Sequence, residues 1–138
     1  MKTIDVPAWI YIKDGKLLTV RSRGKDAFYI PGGKREQGET DVQALTREIR
    51  EELGVELKTE TISFWKTFEA PAHGFDNGTQ VRLICYHADF NGQFAPMHEI
   101  EEMAWLEPSD RDKCAPAARL ALDAAFVAFI RIAYDIIY

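Results

Sequence analysis

The chain has 138 residues, with 22 Asp and Glu against 17 Lys and Arg, and a net charge of −5. That length suits one domain with a real core, so residues 1–138 are read as a single unit. The acidic balance excludes broad binding to a nucleic-acid backbone, and two distant cysteines, Cys85 and Cys114, exclude a CxxC or zinc-type spacing.

In chain order, Asp5 and Pro7 stand where a signal peptide would carry its apolar run, which points to a cytoplasmic protein. Residues 8–12 and 17–20 predict a hairpin about Lys13-Asp14-Gly15-Lys16, because Asp-Gly suits a two-residue turn. Residues 27–30 predict a short strand that stops at Pro31-Gly32-Gly33. Residues 61–68 and 80–90 predict two more strands, rich in aromatic and β-branched side chains. Between them APAHGFDNGT, residues 70–79, is a turn-forming loop suited to specificity. Asn91-Gly92 predicts another hairpin turn, and residues 103–106 a short strand before Pro108. A terminal helix begins near Pro116 and is apolar around much of its circumference, through Leu122, Phe126, Phe129, Ile130 and Ile137. Core packing is its default use and a dimer face its second. Arg119, Asp123, Arg131 and Asp135 interrupt any membrane-spanning run. Strands interleaved with one central and one terminal helix make a mixed α/β layer architecture.

The central helix is the most clearly marked element. Thr40 and Gln43 have capping-box spacing, and Gly54 sits where a left-handed C-terminal residue is wanted. Val42, Leu45, Ile49 and Leu53 form one apolar stripe, and Glu48, Glu51 and Glu52 occupy an adjoining arc. Three carboxylates this close repel one another unless a cation joins them. The helix therefore packs on a sheet by one side and presents an acidic site beside it.

Gly33, five residues, Glu39, seven residues and then Arg47-Glu48-Ile49-Arg50-Glu51-Glu52-Leu53-Gly54-Val55 resembles the Nudix box, G-x5-E-x7-R-E-U-x-E-E-x-G-U, at every specified position. U is a bulky aliphatic residue. The resemblance implies the Nudix fold, a mixed β-sheet sandwiched between α-helices, in a MutT-like hydrolase. It also implies metal-dependent hydrolysis of a nucleoside diphosphate linked to a group X, at a phosphoric anhydride bond. Hard oxygen donors suit Mg²⁺, with Mn²⁺ as a substitute. Carried over residue by residue, Glu48, Glu51, Glu52 and the carbonyl of Gly32 are metal ligands. Glu51 either shares that metal site or accepts the proton of the attacking water, and Arg47 orients a catalytic glutamate. Glu39 is read as a brace at the loop-to-helix junction. Some relatives place an extra acid where this chain has HEIEEMAW, and Glu102 is favoured there over the similarly spaced Glu99 and Glu101.

Other candidates stand outside the box. Arg21, Arg23 and Lys25 precede the glycine turn and can face phosphates. Phe28 and Tyr29 precede Pro31, where family members shape a nucleoside pocket, and His73 lies in the specificity loop. His87 and His98 are too scattered to form a ligand set. The favoured substrate is a nucleoside di- or triphosphate, including an oxidised one, so the partner is a small-molecule nucleotide bound by a monomer or homodimer. The rival is ADP-ribose or a nucleotide sugar, marked by Pro71, 16 residues after Val55. A non-catalytic nucleotide sensor would carry damaged box positions, and a diphosphate isomerase of this fold would need a catalytic cysteine.

Overall fold

The computed structural model describes residues 2–75 and 77–137, with side chains through Val127. Its elements are β1 (Thr3–Trp9), β2 (Ile12–Lys13), β3 (Lys16–Ser22), α1 (Asp41–Leu53), β4 (Glu56–Leu57), β5 (Ser63–Pro71), β6 (Gln80–His87), β7 (Phe90–Asn91), β8 (Ile100–Leu106) and α2 (Pro116–Ile137). One sheet has the order β1-β6-β5, a second β2-β3-β8, and β4 and β7 form a separate ribbon. β1 runs parallel to β6 from Thr3↔Gln80 to Trp9↔Tyr86, whereas β5 pairs antiparallel with β6.

Side chains along these strands alternate between two cores, as the two-residue repeat of a strand requires. Ala8, Ile10 and Ile12 join Leu83, Cys85 and the α2 residues Ala118, Ala121 and Leu122. Trp9 and Tyr11 join Leu18, Val20 and the α1 residues Leu45, Ile49 and Leu53. The sheet region is thus sandwiched between the helices. The predicted boundaries of α1 hold in detail. Thr40 and Gln43 exchange both capping-box hydrogen bonds, and Gly54 closes the helix at φ 71°, its N–H donating to the Arg50 carbonyl.

Several strand expectations are corrected. The predicted strand at 8–12 is instead Thr3–Trp9, with only Ile12–Lys13 in the hairpin. β1 lies at a sheet edge, where a proline such as Pro7 is tolerated. Residues 27–30 form no strand, because Phe28 bridges Cys114 while Tyr29 bridges Val20, and two different partners make no ladder. β5 begins at Ser63 after a 3-10 turn at Thr59–Thr61 and continues to Pro71. The predicted strand at 80–90 ends at His87, where the Ala88 carbonyl turns to accept from Trp9 Nε1 at 3.1 Å. Asn91-Gly92 is not a hairpin turn, since β7 pairs back with β4. Beyond it the chain caps α1: the Ala95 and Met97 amides donate to the Leu53 and Glu52 carbonyls, both at 3.0 Å. The last strand starts at Ile100 rather than at 103. Phe126 packs in the α2-side core, while the side chains of Phe129, Ile130 and Ile137 lie outside the described residues. Among the described residues no helix is long and apolar enough to cross a membrane.

Candidate active site

The Pro31-Gly32-Gly33 turn is stitched to the end of β1. Trp9 N–H donates to the Pro31 carbonyl at 2.8 Å, and Gly33 N–H to the Pro7 carbonyl at 3.2 Å. No side chain fits here. A Cβ on Gly32, whose φ is 148°, would stand 2.8 Å from Ala8 Cα, and one on Gly33 would stand 2.6 and 2.7 Å from the Glu48 carboxylate oxygens. The glycines therefore let strand, loop and helix close on one another. From this turn Gly32 N–H donates to Glu52 Oε1 at 3.1 Å.

The three box carboxylates do not share one exposed arc, as the helical spacing had implied. Glu52 is only 6% exposed. Burial pushes its carboxyl well above the ordinary range, the charges of Glu48, Glu99 and Glu51 push the same way, and the Gly32 amide opposes them. Glu48 is largely buried and is raised by that burial against the pull of Arg47. Glu51 is half exposed.

Arg47 organises the rim. It donates from Nε to Glu39 Oε2 at 2.7 Å and from Nη2 to Glu39 Oε1 at 2.8 Å. It also donates to Glu48 Oε1 at 2.8 Å and to the Lys34 carbonyl at 3.2 Å, but only at 3.4 Å to Glu51. The four-residue spacing of Arg47 and Glu51 suits a helix-surface pair, yet the tighter contacts of Arg47 are Glu39 and Glu48. Glu39, which also accepts from the Glu36 N–H at 2.7 Å, ties the box loop to the helix and is held down to about 2 by this guanidinium.

Among the described residues no three His, Cys, Asp or Glu side chains converge as they stand on one point that could hold an ion. The donor set nevertheless suits a hard cation. Among the described residues Glu52 is a buried carboxylate with a single hydrogen bond, next to the charges of Glu48, Glu51 and Glu99, and such an arrangement lacks positive charge.

The remaining predicted residues separate into two groups. Glu102 lies opposite Arg21 in the β3–β8 register and accepts from its Nε at 2.9 Å, while Glu101 pairs with Arg23 at 3.5 Å. Glu99 instead adds its charge to both Glu48 and Glu52. A cavity of about 320 Å³ opens beside the box, with Gly32 and Glu52 among its lining residues. Tyr29, His73 and Lys25 line it too, whereas Arg21, Arg23 and Phe28 do not. Phe28 packs against the α2-side core instead. The sequence reading missed Ser22, Phe75 and the small residues Ala115, Ala117 and Ala118 that wall the cavity. Phe75 lies within the loop marked for specificity; the alanines, at and just before the start of α2, give no sequence signal of their own.

The NUDIX domain family model matches residues 1–125. The chain belongs to the Nudix family. It is therefore a Nudix hydrolase, an enzyme acting on phosphoric anhydride bonds, in a family that generally needs a divalent metal. It is 33% identical over 115 residues to the CTP pyrophosphohydrolase of Escherichia coli K12, covering 80% of each chain. It matches the solution structure of the E. coli ORF135 protein with a TM-score of 0.69 and 32% identity, over 93% of this chain and 91% of that one. The MutT NUDIX hydrolase from Burkholderia pseudomallei matches with a TM-score of 0.71 over 89% and 98% of the two chains. At 22% identity that likeness speaks for the fold alone.

Proposed function

We propose that this Nudix hydrolase is a pyrophosphohydrolase of free nucleoside di- or triphosphates, oxidised forms included, and that it releases a nucleoside monophosphate. One observation carries the reading: a single cavity is lined at once by the box residue Glu52, by Gly32 next to the box, and by the rings of Tyr29, His73 and Phe75. A base seated among apolar walls and rings would bring its own phosphates to the acidic box. The similarity to a CTP pyrophosphohydrolase supports the same class.

Glu48, Glu51 and Glu52, with the Gly32 carbonyl, would hold Mg²⁺, or Mn²⁺ in its place. Bound there, the cation would neutralise phosphate charge and acidify the attacking water. The chain's own residues supply the rest. Arg47 fixes Glu48 and, through Glu39, the box loop. Glu51 is exposed and only loosely touched by Arg47, so it is available to accept the water proton. Glu99 is the second acceptor to test, since Arg21 and Arg23 already neutralise Glu102 and Glu101. Burial holds the Cys85 and Cys114 thiols up to about 12 and about 11, which disfavours thiol chemistry of the isomerase kind. Pro71 lines the cavity and keeps an ADP-ribose or nucleotide-sugar substrate as the second reading.

The test is a panel of CTP, other nucleoside triphosphates, oxidised nucleotides, ADP-ribose and nucleotide sugars, with Mg²⁺ or Mn²⁺ and chromatographic resolution of products. Pyrophosphate and a nucleoside monophosphate from a triphosphate are expected, with a loss of about a hundredfold or more in Glu51→Gln. Faster cleavage of ADP-ribose or a nucleotide sugar would replace the first reading by the second.

A further inference from the structure

Two loops flank the mouth of the cavity, and neither belongs to the box. The first, residues 22–27, turns where Lys25 N–H donates to the Ser22 carbonyl at 3.1 Å. It is held from below by Arg21, whose Nη1 donates to the Lys25 carbonyl at 3.1 Å. The second, residues 72–79, is closed at its base by Ala72 N–H donating to the Thr79 carbonyl at 2.9 Å. Inside it the Asn77 side chain accepts from the Thr79 amide at 3.2 Å and hydroxyl at 2.5 Å.

The loops meet at one hydrogen bond among the described residues, His73 Nε2 to Asp26 Oδ1 at 2.6 Å. A carboxylate only accepts, so Nε2 carries the proton and the imidazole is held in one orientation. That ring meets Tyr29 edge to face, with centroids 6.1 Å apart. Two residues beyond His73, Phe75 lines the same cavity while remaining 54% exposed. A large aromatic left open to water beside an apolar cavity is placed to stack on a planar group. The Asp26 side chain is 87% exposed, so its contact with His73 adds little to folding stability and can be removed without unfolding the chain.

We propose that Asp26 and His73 form a clasp between the two loops that sets Tyr29 and Phe75 against the base of the bound nucleotide, making these loops the base-selecting part of the site. This rests on the nucleotide reading above and extends it. Asp26 is a positioning residue, acting through His73, while His73, Tyr29 and Phe75 form the selecting surface. Phosphate recognition stays with the box, so the clasp distinguishes a nucleotide from the same phosphate chain on a bare ribose.

The experiment compares Mg²⁺-dependent binding of an α,β-methylene nucleoside triphosphate with that of ribose 5-triphosphate. The proteins are the wild type, Asp26→Ala, His73→Ala, the double variant and Asp26→Glu, with KM and kcat measured on the cleavable nucleotide. Asp26→Ala should bind the nucleotide about tenfold more weakly, with KM rising alike and kcat held, and His73→Ala should bind it at least as weakly. The double variant should lose no more than His73→Ala does, and Asp26→Glu should recover most of the affinity. Ribose triphosphate binding should not change. Unchanged nucleotide affinity in Asp26→Ala, an equal loss for ribose triphosphate, or additive losses in the double variant would each overturn the clasp. Wild-type nucleotide turnover without the clasp effects leaves the nucleotide substrate reading standing; clasp-dependent binding without nucleotide turnover leaves the clasp and overturns that substrate reading.

Discussion

At residue 52 the fold buries a carboxylate whose stability would be better served by a neutral side chain. Glu52 is raised by its own burial, and the hydrogen bond it accepts from Gly32 N–H needs only an oxygen acceptor. Glutamine supplies that acceptor without the charge. Glu52→Gln should therefore stabilise the metal-free protein by about 1–2 kcal/mol, the cost of an imperfectly paired buried charge. It should at the same time lower kcat by a hundredfold or more, because a neutral amide is a poor ligand for a hard cation. Thermal unfolding without metal, together with single-substrate kinetics, checks both halves. A variant that is less stable and inactive would mean that Glu52 is structural; one that is more stable and fully active would remove it from the site.

At the scale of elements, α1 does two jobs through different residues. Its ends are set by Thr40, Gln43 and Gly54, and its apolar side by Leu45, Ile49 and Leu53, while Arg47, Glu48 and Glu52 serve the site. Thr40→Ala removes a capping box and should cost about 1 kcal/mol, or about 4 °C of Tm, yet leave kcat at 25 °C within about twofold. Denaturant unfolding beside a kinetic assay tests this, and a large fall in kcat would show that the cap also sets the box. Such caps were legible in the sequence because they are local: spacing alone places Thr40, Gly54 and the box carboxylates. Non-local choices were not legible. The parallel pairing of β1 with β6 joins residues 77 positions apart, and nothing near Thr3 announces Gln80. Residues 27–30 read as a strand because their side chains favour one, but Phe28 and Tyr29 take single bridges to different neighbours. The same limit applies to the site. Helical spacing put Glu48, Glu51 and Glu52 on one arc, but only the packing of the Pro31-Gly32-Gly33 turn decides that Glu52 is buried and Glu51 is not.

Across the whole molecule the charged groups divide into two sets that pull stability in opposite directions with pH. Glu39, held down to about 2 by Arg47, contributes stability above its unfolded value of 4.5 that is lost as pH falls toward 2. Asp26, Glu56, Asp110 and Asp123 are lowered as well and act in the same acid window. Glu48 and Glu52 are raised by burial, so the folded chain holds their protons more tightly than the unfolded one. Their contribution is present below 4.5 and is lost as pH rises through their elevated values. Metal-free protein should thus lose Tm on both sides of a maximum in the weakly acid range. A divalent cation that binds the ionised carboxylates of the folded chain alone should restore the alkaline side and leave the acid side untouched. Tm measured from pH 2 to 8, with and without excess Mg²⁺, should show metal stabilisation that grows with pH. An equal gain at every pH would place the cation away from Glu48 and Glu52. A metal-free Tm that stays level from pH 5 to 8 would mean that their burial costs the folded chain nothing.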